Sequence, residues 1–279
     1  RLDYFENTFD GIFIADDEWV STSGHSTKIS PSLSVIYEPG KDAMGYLTLS
    51  RTYRPQGADI AMNANSFDNE VAGDMEPERA DLIELGGKMN LMDGRLGLSG
   101  AIFQITKRHA YGDTVDPETG EIPVGFTDSG SGRRIRGLEL GVSGEVADGW
   151  NVYANYAYLN GKVRGGRGID VDPESPPTVG KDAPGVPRHN LSIWTSYVVP
   201  QAQAKWGGDL TVAGGVRYAS DYFANATNTA EIPETLSLDM MVSYEKDDWR
   251  VALNAYNLTD HQNYGSAFSS SRAVPEAGR

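Results

Sequence analysis

Apolar and polar side chains alternate in five segments of the second half of the chain. For example, Trp150, Val152 and Tyr156 share one parity, whereas Asn151 and Asn155 share the other. A period of two places successive side chains on opposite faces of a β-strand, so each segment predicts a strand with one apolar and one polar face. The same pattern occurs at 191–199, 210–218, 236–244 and 249–256, and more weakly at 33–37, 47–49, 83–89, 96–102 and 138–142.

The connections between these strands alternate between short turns and long polar segments. Short turns are predicted at 38–42, 92–94, 147–149 and 245–248, and long polar segments at 9–29, 55–75, 109–132 and 163–186. Outer-membrane β-barrels have this connectivity, with short turns on the periplasmic side and long loops outside the cell. Long loops without structure are unusual inside a compact soluble domain.

Composition narrows the class of protein further. No apolar run reaches the roughly 18 to 20 residues that a membrane helix needs, but a barrel crosses with alternating strands and has the average hydropathy of a soluble protein. The 39 acidic against 24 basic residues, a formal charge of -15, disfavour a nucleic-acid partner. The absence of cysteine fits an oxidising envelope compartment.

These patterns predict an all-β fold, an antiparallel transmembrane barrel with about ten complete strands and partial ones at each end. Aromatic residues near strand ends fit the interface girdles of such a barrel, and they are Trp150, Tyr158, Tyr197, Tyr218, Tyr222, Tyr244 and Trp249. Arg136 shares the parity of Leu138, so we expect it at the rim or beside a bulge. The alternative is a secreted β-sandwich or solenoid, whose apolar faces would point into a core.

Five motifs in order resemble the TonB-dependent siderophore receptors of bacteria. They lie at 30–56 (SPSLSVIYEP and YLTLSRTYRPQ), 75–88 (MEPERADLIELGGK), 136–140 (RGLEL), 150–158 (WNVYANYAY) and 254–260 (NAYNLTD). The resemblance implies that residues 1–279 are about ten to twelve strands of a 22-stranded barrel closed by an amino-terminal plug. The plug, the first strands and the final strand are then expected to lie outside this sequence.

The resemblance also implies a function, which is uptake of ferric siderophores across the outer membrane. Energy would reach the receptor from TonB–ExbB–ExbD through the plug, and the barrel would contact outer-membrane lipid and lipopolysaccharide. Iron would be carried as the siderophore complex, with no cofactor bound directly. The alternatives are TonB-dependent import of cobalamin, a sugar or nickel, and a passive porin-like barrel.

Enzymatic and metal sites have little support in the sequence. No nucleophile and base arrangement is evident, so no catalytic residue is predicted. The four histidines are far apart, which argues against a zinc site. The acidic stretch 170–174 is either a solvated loop or a weak Ca²⁺ candidate.

Candidate ligand contacts are chosen from arginine and aromatic side chains near the extracellular loop bases, since these suit anionic or aromatic ferric complexes. They are Tyr53, Arg54, Tyr111, Phe126, Arg133, Arg134, Tyr222 and Phe223. For each, the alternative is a role in the girdle or in loop packing. Glu84 and Lys88 have the parity opposite to Ile83 and Leu85, which predicts a luminal position and structural pairing.

Overall fold

The computed structural model describes residues 1–13, 18–55, 77–110, 131–164, 178–199, 207–269 and 272–275. Within these residues, ten strands form one antiparallel sheet in which neighbours in space follow one another along the chain. The strands are β3 (Ser32–Gly40), β4 (Ala43–Arg54), β5 (Glu78–Leu91), β6 (Leu96–Ala110), β7 (Ser131–Ala147), β8 (Trp150–Val163), β9 (His189–Val199), β10 (Asp209–Ala219), β13 (Thr235–Lys246) and β14 (Trp249–Ala255). The described part of the chain contains no helix long and apolar enough to cross a membrane.

Three two-stranded pairs accompany the main sheet. They are β1 (Leu2–Phe13) with β2 (Glu18–Ile29), β11 (Tyr222–Phe223) with β12 (Glu231–Ile232), and β15 (Tyr264–Ser269) with β16 (Arg272–Pro275). The prediction of a long polar loop at 9–29 is therefore wrong, because its described residues belong to the β1–β2 hairpin. Apolar and polar side chains do not alternate in this segment. The backbone hydrogen bonds between two strands form without that alternation.

The junction between β2 and β3 consists of Ser30 and Pro31 alone. The Ser30 amide donates to the Arg1 carbonyl (2.8 Å), while the Pro31 carbonyl accepts from the Arg51 amide (2.9 Å). Proline has no backbone N–H, so only its carbonyl can join a ladder at this point. The chain therefore changes its pairing partner here, from β1 before the junction to β4 after it.

Strand register gives the sheet one apolar and one polar face. Leu47 pairs with Leu85, Leu85 with Ile102 and Ile102 with Leu138, so their side chains share a face, which we call the outer face. These side chains do not enter a core, since Leu85 is 54% and Ile102 55% exposed. Among the described residues, the only buried apolar side chains are Val163, Ala183, Ala213 and Ile232. The sandwich alternative, which requires a dry apolar interior, is therefore excluded.

Aromatic side chains border the outer face at both ends of the strands. Trp150 pairs with Tyr197 near the short turns, and Tyr158 lies beside His189 at the opposite end, with ring centroids 5.3 Å apart. Trp150 and Tyr158 are separated by about 27 Å of strand, which at a tilt of about 35–45° spans roughly 19–22 Å of a hydrocarbon band about 25 Å tall. Tyr222 is different, because it lies half-buried in the β10–β13 connection rather than on this border.

The short turns fall where the sequence predicts them. Between β5 and β6, Met92 (φ 55°) and Asp93 (φ 56°) both have left-handed backbone conformations, and the Gly94 amide donates to the Leu91 carbonyl (3.1 Å). The connection has four residues, 92–95, and the left-handed conformations of Met92 and Asp93 at its start match the twist of antiparallel strands. Asp247 (φ 51°) has the same role between β13 and β14.

Candidate functional site

The face opposite the apolar one, the inner face, carries a cavity of about 540 Å³. It extends across seven strands, from Tyr46 on β4 to Arg217 on β10. Small side chains form much of the lining, including Ser99, Ala101 and Ser192. Because these side chains are short, they leave room above the sheet for a polar occupant.

Charges of both signs lie on this inner face. Lys88, Glu139 and Arg217 line the cavity. Glu84 accepts a hydrogen bond from the Tyr46 hydroxyl (2.7 Å), so it pairs with a neighbouring strand. Glu84 and Lys88, the two predicted luminal residues, therefore both lie on the inner face.

Asp239 is the most heavily bonded carboxylate of the inner face near the β10–β13 pair. It accepts hydrogen bonds from the Ser237 hydroxyl (2.7 Å) and the Asn257 backbone N–H (2.9 Å). It also lies 3.6 Å from Arg217 Nε. These bonds fix the carboxylate and connect β13 to the chain that follows β14. The carboxylate thus holds a fixed position beside Arg217, which lines the cavity.

Two connections at the extracellular end are joined by one asparagine side chain. The Asn228 amide group donates to the Asp182 carbonyl (2.9 Å), and its oxygen accepts from the Asp182 amide (2.9 Å). Lys181 Nζ adds a bond to the Thr227 carbonyl (2.6 Å), and the Gly185 amide donates to the Phe223 carbonyl (2.9 Å). We call this set of contacts between the β8–β9 and β10–β13 connections the loop tie.

The Asp182 side chain completes the loop tie through cations. It lies 2.6 Å from Lys162 Nζ and 3.1 Å from an Arg188 guanidinium nitrogen. Burial raises the pKa of the Asp182 carboxyl, but the hydrogen bond and charge of Lys162 and the charge of Arg188 together lower it more, so the net shift is downward from 3.8. A depressed carboxyl pKa stabilises the fold above the unfolded-state pKa, and this contribution is lost only as the pH falls through the folded-state value.

Of the eight predicted ligand contacts, the six that the structure describes do not converge. Arg54 and Arg133 lie on the inner face, whereas Tyr53 and Arg134 lie on the outer face, because adjacent residues of a strand point in opposite directions. Tyr222 and Phe223 are half-buried beside the loop tie. Tyr111 and Phe126 lie outside the described residues.

Sequence reasoning missed the loop tie entirely. Asn228 and Asp182 are 46 residues apart, and neither belongs to a motif. The division of the arginines between two faces, in contrast, was predictable from their odd and even positions along the strands. The acidic stretch 170–174 is outside the described residues, and the described ones contain no group of three or more histidine, aspartate or glutamate residues placed to hold a metal.

A single antiparallel sheet with an exposed apolar face, aromatic borders and a polar inner face defines an outer-membrane β-barrel protein. Residues 1–258 match the family model described as TonB dependent receptor-like, beta-barrel, and the chain belongs to this family. It is therefore a protein of the bacterial outer membrane, and the predicted fold class and location are confirmed.

Similar proteins carry receptor names. A probable TonB-dependent siderophore receptor, PiuA of Acinetobacter baumannii, is 27% identical over 100% of this chain and 36% of its own length. A probable TonB-dependent receptor, BfrD of Bordetella pertussis, is 30% identical over 88% of this chain and 32% of its own. A metal-pseudopaline receptor, CntO of Pseudomonas aeruginosa, is 22% identical over 99% and 36%.

The crystal structure of the siderophore receptor PiuA matches with a TM-score of 0.84 at 25% identity, covering 100% of this chain and 38% of that one. The chain thus spans about a third of the length of the curated relatives it matches.

Proposed function

We propose that this chain forms part of the wall of a receptor that imports ferric siderophores across the outer membrane. The observation that carries the proposal is the likeness to the siderophore receptor PiuA, which extends over the whole chain in both sequence and structure. Energy comes from TonB, which the family description names, together with ExbB–ExbD. Iron travels as the siderophore complex, and the wall has no catalytic role, since the family is one of receptors.

The inner face supports this function by its chemistry. A cavity lined by short side chains and by charges of both signs offers hydrogen bonds to a polar occupant without a strong preference for one sign. The loop tie joins the two connections that follow β8 and β10, which are strands that contribute to the cavity. A receptor needs such a fixed scaffold because ordering loops during binding weakens affinity.

We assign ligand contact to those predicted residues whose side chains face inward. Arg54 and Arg133 lie on the inner face near the extracellular ends of β4 and β7. A guanidinium group binds an anionic complex through charge-assisted, often bidentate, hydrogen bonds. Tyr53 and Arg134 face the opposite side, so they do not reach a ligand in the lumen.

Uptake measurements in the producing bacterium test the proposal. We expect deletion of the gene to abolish energy-dependent uptake of at least one ⁵⁵Fe-loaded siderophore from a panel of catecholate, hydroxamate and carboxylate complexes. Uptake should return with the intact gene and should be absent in a strain without TonB. Unchanged uptake of the whole panel would refute iron import, and uptake independent of TonB would favour a passive porin.

Two adjacent arginines provide the matched variants for ligand contact. Arg133→Ala should weaken binding of the transported ferric complex by roughly tenfold, the value of one charge-assisted hydrogen bond. Arg134→Ala removes the same charge on the outer face and should leave affinity within about twofold. Tryptophan fluorescence quenching of the intact gene product measures both, and equal losses would contradict the assignment to the inner face.

A second candidate is import of another metal complex, because a metal-pseudopaline receptor is among the relatives. The same strains decide between the two, with ⁶³Ni and ⁵⁷Co complexes of a metallophore in place of iron. Loss of nickel or cobalt uptake with normal iron uptake would select this second candidate. Cobalamin and sugars are tested in the same assay.

A further inference from the structure

Aromatic rings on the inner face lie against glycines of the neighbouring strand. The register sets three such pairs, and they are Tyr46 with Gly86, Phe103 with Gly137 and Trp194 with Gly215. In each pair, a Cβ atom added to the glycine would lie 2.5 Å from an atom of the ring. The ring therefore occupies the space that a side chain at the glycine position would need, so this close approach requires glycine. We call these contacts the ring–glycine pairs.

A fourth ring shows the arrangement without a glycine. In the described strands of the main sheet, the inner face carries one further phenylalanine, tyrosine or tryptophan, Tyr153, whose register partners are Ser143 and Trp194. Tyr153 is 53% exposed, whereas Tyr46, Phe103 and Trp194 are half-buried. The rings over glycine therefore lie close to the sheet, where a ring in van der Waals contact rises only about 4 Å above it.

The ring–glycine pairs border the cavity on three sides. Tyr46 itself lines the cavity. Phe103 lies two residues beyond the lining residue Ala101, toward the extracellular end of β6. Trp194 lies two residues beyond the lining residue Ser192, toward the turn end of β9. Low rings at these positions keep the opening of the cavity clear, because the side chains between them are short.

We propose that the ring–glycine pairs set the clearance of the lumen at this wall, and thereby the size of the ferric complex that can move past it. This inference rests on the proposed transport function. An added Cβ cannot remain 2.5 Å from a ring atom, so alanine at the glycine position would force the ring to rotate away from the sheet. A raised ring narrows the lumen and excludes larger complexes first. The glycines thus determine specificity through the rings, without touching the complex.

Gly86 and Gly137 offer the sharpest test. For both, the three atoms nearest to the added Cβ belong to side chains, so the strand backbone need not move. Gly215 is less suitable, because its added Cβ would also approach a backbone oxygen. Ala101 lies beside both test sites, since it pairs with Gly86 and is two residues from Phe103 on β6.

Thiol labelling of the intact gene product measures the clearance without relying on transport. The 279 residues contain no cysteine, so Ala101→Cys supplies the thiol within this chain, and the protein without it gives the background. N-ethylmaleimide is the small probe and fluorescein maleimide the bulky one. The variants are Gly86→Ala and Gly137→Ala, each also combined with removal of its ring by Tyr46→Ala or Phe103→Ala. Gly97→Ala is the matched control, because no ring lies over this inner-face glycine.

We expect each single glycine variant to slow labelling by fluorescein maleimide at least about fivefold, the rate effect of roughly 1 kcal/mol of steric overlap. Labelling by N-ethylmaleimide should be unchanged, removal of the ring should restore the bulky probe, and the control should label normally. Unchanged bulky labelling in both glycine variants would overturn the proposal. So would slow labelling that persists without the ring, since it would indicate a distorted wall. Melting temperatures show which variants are folded, and one folded glycine variant is enough to decide.

Uptake separates this inference from the function on which it rests. Among the ferric complexes that the unaltered protein imports, the glycine variants should slow the larger ones more than the smaller ones, with unchanged affinity. Import of no complex by the unaltered protein would refute the proposed function, while labelling would still decide the clearance. Equal slowing of large and small complexes would contradict a size limit set by the rings.

Discussion

Gly144 illustrates how single residues limit the sequences that this sheet accepts. Its φ is 131°, and a Cβ atom added there would lie 2.0 Å from the Arg95 carbonyl oxygen, which already accepts the Glu145 amide. The register shifts between Glu145 and Ala147, so the glycine precedes a bulge at the end of β7. A side chain would therefore have to move backbone atoms.

Gly144→Ala should destabilise the barrel by about 1 to 3 kcal/mol, since it combines a disfavoured φ with a backbone clash. Gly97→Ala is the control, because its added Cβ would meet nothing closer than 3.5 Å. Urea unfolding of the intact gene product in lipid vesicles measures both. Equal midpoints for the two variants would show that the bulge relaxes freely.

Residue-level prediction from sequence was accurate where parity alone decides orientation. Glu84 and Lys88 lie on the inner face and Ile83 and Leu85 on the outer face, as alternation predicted. The ligand set did not use the same rule, and so it included Tyr53 with Arg54 and Arg133 with Arg134. Neighbours in a strand cannot share a face, so parity would have separated them.

At the level of elements, the loop tie is the feature that the sequence did not reveal. Its bonds join the β8–β9 and β10–β13 connections through Asn228, whose left-handed backbone (φ 54°) directs its amide toward Asp182. Contacts between distant segments leave no local pattern. The hairpin β1–β2 was missed for a related reason, since residues 9–29 lack the apolar alternation that marks the other strands.

Asn228→Ala should loosen both connections, because it removes the side chain that satisfies the Asp182 backbone. Amide exchange should quicken at 178–185 and at 222–230, which corresponds to a loss of about 1 to 3 kcal/mol for local opening. Asn225→Ala is the control, since Asn225 bonds to Thr229 within its own connection. Exchange that quickens only at 222–230 in both variants would contradict a tie between the two connections.

On the scale of the whole molecule, the two faces of the sheet have opposite surroundings. Met240 and Met241 are adjacent on β13. Met240 lies on the outer face, between Leu238 and Val242 of the same strand. Met241 lies on the inner face, where it pairs with Ala213 and Asn254. The pair therefore allows one substitution to be compared in hydrocarbon and in the lumen.

Met240→Lys should destabilise the inserted barrel by about 2 to 4 kcal/mol, the cost of an amine near the bilayer midplane. Met241→Lys should cost less than about 1 kcal/mol, because water and polar groups are available on the inner face. Guanidinium unfolding from vesicles measures the difference. Similar losses for both would mean that the faces have been assigned incorrectly.

The order of strands in the main sheet has a consequence for how such a wall changes in evolution. Each strand of the main sheet bonds to the strands of that sheet that precede and follow it in the chain, so successive strands cross the bilayer in opposite directions. Gain or loss of one strand would place everything downstream on the wrong side of the bilayer. A change of two strands keeps every later strand in its orientation, so a bacterial barrel of this kind widens or narrows by whole hairpins.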